Sequence, residues 1–150
     1  RPVRQNNYAA DANWYSNPPQ IIAEVRGARA EALIPRLEEA IANYPHSSHG
    51  DYNIWPGPNS NSFIAHVLDA VPELGWVPPA NAVGRDYRST GRFISIDPDW
   101  LNIQISIGGV IGMAVGRRSG LEMQLLGLVT GIDFLRPGIK LPGFGTIALR

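Results

Sequence analysis

Asn59-Ser60-Asn61-Ser62-Phe63 follows Trp55-Pro56-Gly57-Pro58 and leads into an apolar run, which places Ser60 in the first turn of a helix. Unpaired backbone N–H groups and the positive end of the helix dipole meet there, so a developing oxyanion would be stabilised. A serine hydroxyl is a poor nucleophile unless a positioned base takes its proton. The chain has three histidines. His46 and His49 lie in the loop before the motif, with Asp51 close enough in sequence to orient one of them. His66 lies on the same helix as Ser60 but on a different face. Ser60 is therefore the candidate nucleophile and His49 the candidate base. The same residues have a plain structural use, because Asn and Ser are preferred helix caps and loop histidines are ordinarily solvated.

A second polar cluster, Arg85-Asp86-Tyr87, follows Gly84 in a loop. It could bind a carboxylate or close over the WPGP loop. It could equally be an internal ion pair that ties down a long connection. Trp55 offers a ligand platform or a core aromatic. Trp55, Asn59, Asn61, Arg85, Asp86 and Tyr87 make up the candidate binding set. Gly108-Gly109 lacks a phosphate-loop lysine, and no strand–GxGxxG–helix unit is present, so nucleotide binding has no support. Scattered histidines without cysteine make no metal site, and no cofactor is expected.

Several elements must position these groups. Residues 1–20 are rich in Arg, Asn and Ala, and Asn17-Pro18-Pro19 closes an extended arm that Trp14 and Tyr15 could anchor. Ile21 to Arg26 reads as a short strand. Ala30, Leu33, Ile34, Leu37, Ile41 and Tyr44 then recur at helical spacing. Pro35 inside that pattern predicts a helix that starts near Ile34 or kinks there, and Pro45 ends it. A second helix is expected from about Ser60 to Val71, burying Phe63, Val67 and Val71. Gly75 to Gly91 has no periodicity and reads as a long ordered loop.

Leu101, Ile103, Ile105 and Ile107 alternate with Asn102, Gln104 and Ser106, the period of a strand with one wet face. Leu121, Met123 and Leu125 repeat the pattern against Glu122 and Gln124. These two runs predict an antiparallel hairpin across Gly116–Gly120, with further strand pieces at Leu128–Phe134 and Ile139–Leu141. Gly108, Gly112 and Gly116 have the four-residue spacing of packed membrane helices, but the apolar length is too short for a span. The fold class is α+β: two amphipathic helices on a mainly antiparallel sheet that includes the strand near Ile21.

The composition narrows the function classes. The 150 residues fit one domain, with 1–20 as its arm and 21–150 as its body. Thirteen basic and thirteen acidic residues cancel, which gives no electrostatic reason to bind nucleic acid. The absence of cysteine excludes disulfides and thiol chemistry. The first residue is Arg1, and no leader precedes it, so the chain is expected to be the C-terminal portion of a longer precursor.

WPGPNSNSFIAHVLDAVPEL, then PPANAVGRDY, then LEMQLLGLVTGIDFLRPGIKLPGFG, resemble a bacterial family called domain of unknown function thirty-seven fifty. The resemblance implies an envelope protein on the periplasmic side, membrane-associated through an upstream anchor, and the exposed Asn-rich arm supports assembly with another chain as a subunit of a complex. A more distant similarity is to the circularly permuted papain-like enzymes of the lecithin retinol acyltransferase class, in which Asn-Cys-x-x-Phe opens a helix. Asn59-Ser60-Asn61-Ser62-Phe63 has that shape, with serine in the cysteine position. The similarity implies half of a permuted papain-like core whose base comes from an upstream segment.

Two functions follow as expectations. The first is a non-catalytic envelope module that binds a protein, a peptide or a lipid-like group, its partner being another chain or the missing N-terminal region. The second is a serine-dependent hydrolase or acyltransferase with Ser60 as nucleophile.

Overall fold

The computed structural model describes residues 2–4, 9, 12–13, 16–19, 21, 23–87, 93–96 and 101–149. Trp14 and Tyr15, proposed above as anchors of the arm, lie outside the described residues. Ile21 and residues 23–26 are not strand, and Ile21 is largely exposed, so the predicted first strand is not formed among the described residues.

Helix α1 spans Ala28–Ala42 and begins directly after Gly27, whose φ of 64° suits glycine. Pro35 neither starts nor ends it. Ala28 to Leu33 are nearly all strong helix formers, and a proline removes only one internal N–H, so the helix extends a full two turns before Pro35. Leu33, Ala40 and, just beyond the end, Tyr44 are buried. Helix α2 spans Ser60–Ala70 and buries Ser62 and Ala65, with Val71 fully buried at its C-cap, while Phe63 and Val67 are only half-buried.

The two helices pack through Tyr44 and Phe63, whose rings meet edge to face at 5.0 Å, and through His66 Nε2, which donates to the Ala40 carbonyl at 3.1 Å. Arg36 reaches the end of α2, donating to the Ala70 carbonyl at 3.2 Å and pairing with Glu73. A single 3-10 turn, Pro72–Leu74, leads into the loop, which continues without helix or strand to residue 87, the last described before the sheet.

The sheet is an antiparallel meander in chain order: β1 Ile94–Ile96, β2 Asn102–Ile107, β3 Ile111–Gly116, β4 Gly120–Leu125, β5 Leu128–Asp133, β6 Gly138–Leu141 and β7 Gly145–Ala148. The predicted hairpin between the 101–107 and 121–125 runs is corrected, because β3 intervenes and pairs with both. Strand β3 reads IGMAVG, and its glycines at 112 and 116 blur the alternation. The four-residue glycine spacing therefore belongs to a turn and a strand. No helix among the described residues is long and apolar enough to cross a membrane.

Turns follow local chemistry. Gly108 and Gly109 have φ of 58° and 70° between β2 and β3, and Leu126-Gly127, at 54° and 76°, form the two-residue turn between β4 and β5.

The register sorts the side chains onto two unlike faces. On one, Ile96, Ile103, Val115, Leu121, Ile132, Ile139 and Ile147 make a row across all seven strands. A second row runs Ile94, Ile105, Met113, Met123, Thr130, and a third runs Ile107, Ile111, Leu125, Leu128. On the other face stand Gln104, Ala114, Glu122, Gly131 and Lys140 in one row and Ser106, Gly112, Gln124 and Val129 in the next. The wet-face expectation is reversed. Ser106, Glu122, Gln124 and Lys140 are buried, and all the aliphatic residues of the three rows except half-buried Ile103 are substantially exposed. The physical reason is the long loop, whose Arg85 pairs with Glu122 on the polar face, while Glu122 in turn holds Lys140.

Candidate functional site

Two sites are built around the loop segments, and a third surface is the open face of the sheet. The WPGPNSN segment is organised by Asn59, which is buried. Its Oδ1 accepts from the backbone N–H of Asn61 at 2.9 Å and of Ser62 at 3.1 Å, while Ser62 Oγ accepts from Asn59 N at 2.7 Å. This reciprocal capping box satisfies the first donors of α2. The Asn59 amide also donates to the carbonyls of Ile54 at 2.9 Å and Val83 at 3.1 Å, and Asn61 Nδ2 joins it on Val83 at 2.9 Å. A Cβ at Gly84 would run into the Asn59 amide, so the two loops touch with room only for glycine there. The Trp55–Pro56 and Gly57–Pro58 peptides are cis. Trp55 is half-exposed, and its indole N–H donates to the Leu126 carbonyl at 2.9 Å, so it braces the β4–β5 turn.

Ser60 occupies the first helical position and is exposed. No hydrogen bond joins its hydroxyl to a histidine. His49 is exposed in its loop. His46 stands edge to face with Tyr44 at 5.7 Å and Tyr87 at 5.8 Å, and its Nε2 is buried with no hydrogen-bond partner among the described residues. His66 is committed to Ala40. The helix therefore starts as sequence predicts, but the capping is done by Asn59 and Ser62, and the arrangement contains no assembled serine–imidazole pair.

The second cluster is deeper. Arg85 and Asp86 are both buried. One Arg85 Nη donates to Glu122 Oε2 and the other to the Pro78 carbonyl, while Nε faces Asp86 Oδ2 at 3.6 Å, beyond hydrogen-bond length. Lys140 Nζ donates to Glu122 Oε1 and to the Ser119 carbonyl. Glu122 is thus held between two cations. Gln104 donates to Asp86 Oδ1, and Ser106 Oγ donates to the Asp86 carbonyl at 2.6 Å. Burial pushes the Asp86 carboxyl above its ordinary range, against the pull of Arg85. A cavity of about 80 Å³ beside Asp86, Arg85, Glu122, Asn102 and Trp76 has room for a few water molecules. This cluster is an internal clamp that fixes residues 78–87 to the sheet.

Sequence reasoning named Arg85, Asp86 and Tyr87 but missed Glu122 and Gln104, which hold Arg85 and Asp86, and Lys140, which holds Glu122. Their signal was an acid, a base and an amide on the polar side of three strands. Tyr87 lies against Gly57 and Gly109, where a Cβ at either glycine would crowd it. No group of acidic residues and histidines able to hold a metal occurs among the described residues.

The third surface is the apolar face, where the chain's two methionines, Met113 and Met123, pair across β3 and β4. Its centre borders an open depression of about 700 Å³ lined almost wholly by aliphatic groups.

Two helices and a clamped loop against an antiparallel sheet define an α+β protein. The chain belongs to the family described as protein of unknown function (DUF3750), whose profile matches residues 1–87. The match takes in both helices, the WPGPNSN loop and Arg85-Asp86-Tyr87, and it ends before β1. The segment from Leu121 to Gly145, quoted above for the resemblance, lies outside it. No curated protein and no solved structure matches the chain.

Proposed function

We propose that this chain is a non-catalytic assembly module of the bacterial cell envelope that binds a partner through the apolar face of its sheet. One observation carries the reading: three register rows of that face contain no charged side chain and a single polar one, Thr130. Soluble monomers rarely expose continuous apolar patches beyond a few hundred Å². The loop and α2 line the opposite, polar face, together with Gln104, Ala114 and Glu122. The periplasmic location extends what the family resemblance implies.

The serine-hydrolase reading has less support. Ser60 is exposed at a helix start, but each histidine is engaged elsewhere or lies apart from it. Arg85 and Asp86, offered above as ligand-binding residues, are hydrogen-bonded to Glu122 and Gln104.

The test uses Met113 and Met123, since thioether oxidation reports exposure. Hydrogen peroxide is applied to intact envelopes from the producing bacterium and to the denatured chain, and sulfoxide is read by mass spectrometry. A covered face gives oxidation at least tenfold slower in the envelopes. Equal rates overturn the reading.

A further inference from the structure

We infer that the surface covering the apolar face is the same face of a second copy of this chain, giving a two-fold β-sandwich. The inference rests on the docking reading above and adds the identity of the partner.

Three observations select a second copy. The first is area. Fourteen aliphatic side chains of the three rows are each roughly two-fifths to three-fifths exposed. At the area implied by transfer energies, that is roughly 600 Å² of apolar surface per copy. Two such faces bring about 1,200 Å² together, the lower end of specific protein interfaces.

The second is shape. The face is a continuous pleated surface whose longest strands have six residues. Two twisted sheets of this kind stack with strands within about 30° of each other, at a spacing of about 10 Å, and side chains interdigitate between them. A two-fold axis requires a patch to complement itself. A face without charge meets that condition, because no like charges are brought together.

The third is the sheet's edges. The strand order runs from β1 to β7 without closure, so both end strands keep one row of backbone N–H and C=O groups unpaired within the described sheet. Open edges are not tolerated in hydrocarbon, where each unsatisfied group costs several kcal/mol. Against a second protein sheet those edges stay in water. The same apolar face is therefore suited to protein and unsuited to insertion in lipid.

The test is sedimentation equilibrium of the full chain without detergent, over a hundredfold concentration range. The expected mass is twice 16.4 kDa at the upper concentrations. Met123→Lys places a charge in the central row and should shift the dissociation constant upward by at least a hundredfold, while Glu38→Lys on exposed α1 should leave it unchanged. Circular dichroism checks that each variant is folded. If Met123→Lys does not fold, Leu125→Thr serves in its place, and the wild-type mass stands as the primary readout.

A monomeric wild type at all concentrations overturns the inference, as does a monomer that floats with phosphatidylethanolamine–phosphatidylglycerol vesicles. The two failures are separable. A monomeric chain whose methionines are protected in envelopes loses the second copy but keeps the docking face. A monomeric chain whose methionines are unprotected loses both.

Discussion

The two faces of the sheet use the same strands and opposite chemistry. The face under the loop carries Glu122, Lys140, Gln104 and Gln124, all with partners, interspersed with Gly112, Gly116 and Gly131. The open face carries isoleucine, leucine, valine and methionine, nearly all of them substantially exposed. In an ordinary half-buried sheet the assignment is the other way round. The difference teaches that alternation identifies two faces but does not say which one is inside. That depends on what the rest of the chain can lay over each, and this chain lays down an Arg–Asp loop, which can cover a polar face and not an apolar one.

The largest effect that would test this contrast is at Glu122. Glu122→Leu leaves Arg85 and Lys140 buried without their shared anion, and we expect a loss of about 3–5 kcal/mol in chemical denaturation. A loss under about 1 kcal/mol would mean that this face is not the interior one. Gly131→Val comes next, because a side chain there meets the Leu121 carbonyl and the Glu122 backbone. The expected loss is about 2 kcal/mol by thermal unfolding, within the range for overpacking. Asn59→Ala removes one half of the capping box and two amide donors, and should cost about 1–2 kcal/mol without altering the sheet face.

Asp86 sharpens the contrast through pH. Burial raises its carboxyl pKa in the folded state, so the folded protein holds that proton more tightly than the unfolded chain does. Its contribution is fully present below the ordinary carboxylate range and is lost as pH rises through the raised folded value. Asp86→Asn should remove this dependence, and urea midpoints measured from acid to neutral pH should show the variant gaining on the wild type. Exposed Glu73 behaves oppositely. Arg36 holds it below the ordinary range, so its small contribution disappears as pH falls.

The smallest expected effect belongs to the open face. Leu125→Thr, at a site already 61% exposed, should change the stability of the isolated chain by no more than about 0.5 kcal/mol, measured at high dilution where copies are apart. An effect as large as that of Glu122→Leu would erase the distinction between the faces.

Much of the fold was legible. The capping residues at 59–62 marked the start of α2, alternation found β2 and β4, and β5 and β6 were expected as further strand pieces. Strand β3 was not legible, because Gly112 and Gly116 fall on its inward positions, where the neighbouring strands leave no room for a Cβ. Strand β1 has three residues, too few for a period, and β7 was not expected either, its four residues GTIA starting on a glycine. The proposed strand at Ile21–Arg26 had the composition but no neighbouring strand among the described residues. At the site, Arg85 and Asp86 stood out as a polar pair. Their partners lie 37 residues on, at Glu122, and 18 on, at Gln104, and only the register brings them together. Ser60 drew notice for its place in a helix, yet the hydroxyl that bonds the cap is that of Ser62.

Along β2, β3 and β4 the outward residues are all odd-numbered and the clamped ones all even-numbered. On the docking reading proposed above, substitutions at 103, 105, 107, 111, 113, 115, 121, 123 and 125 would retune what the sheet binds while the even positions keep the chain folded. For an engineer this makes the sheet a nine-position library surface, with recognition and stability written on alternate letters of the same three strands.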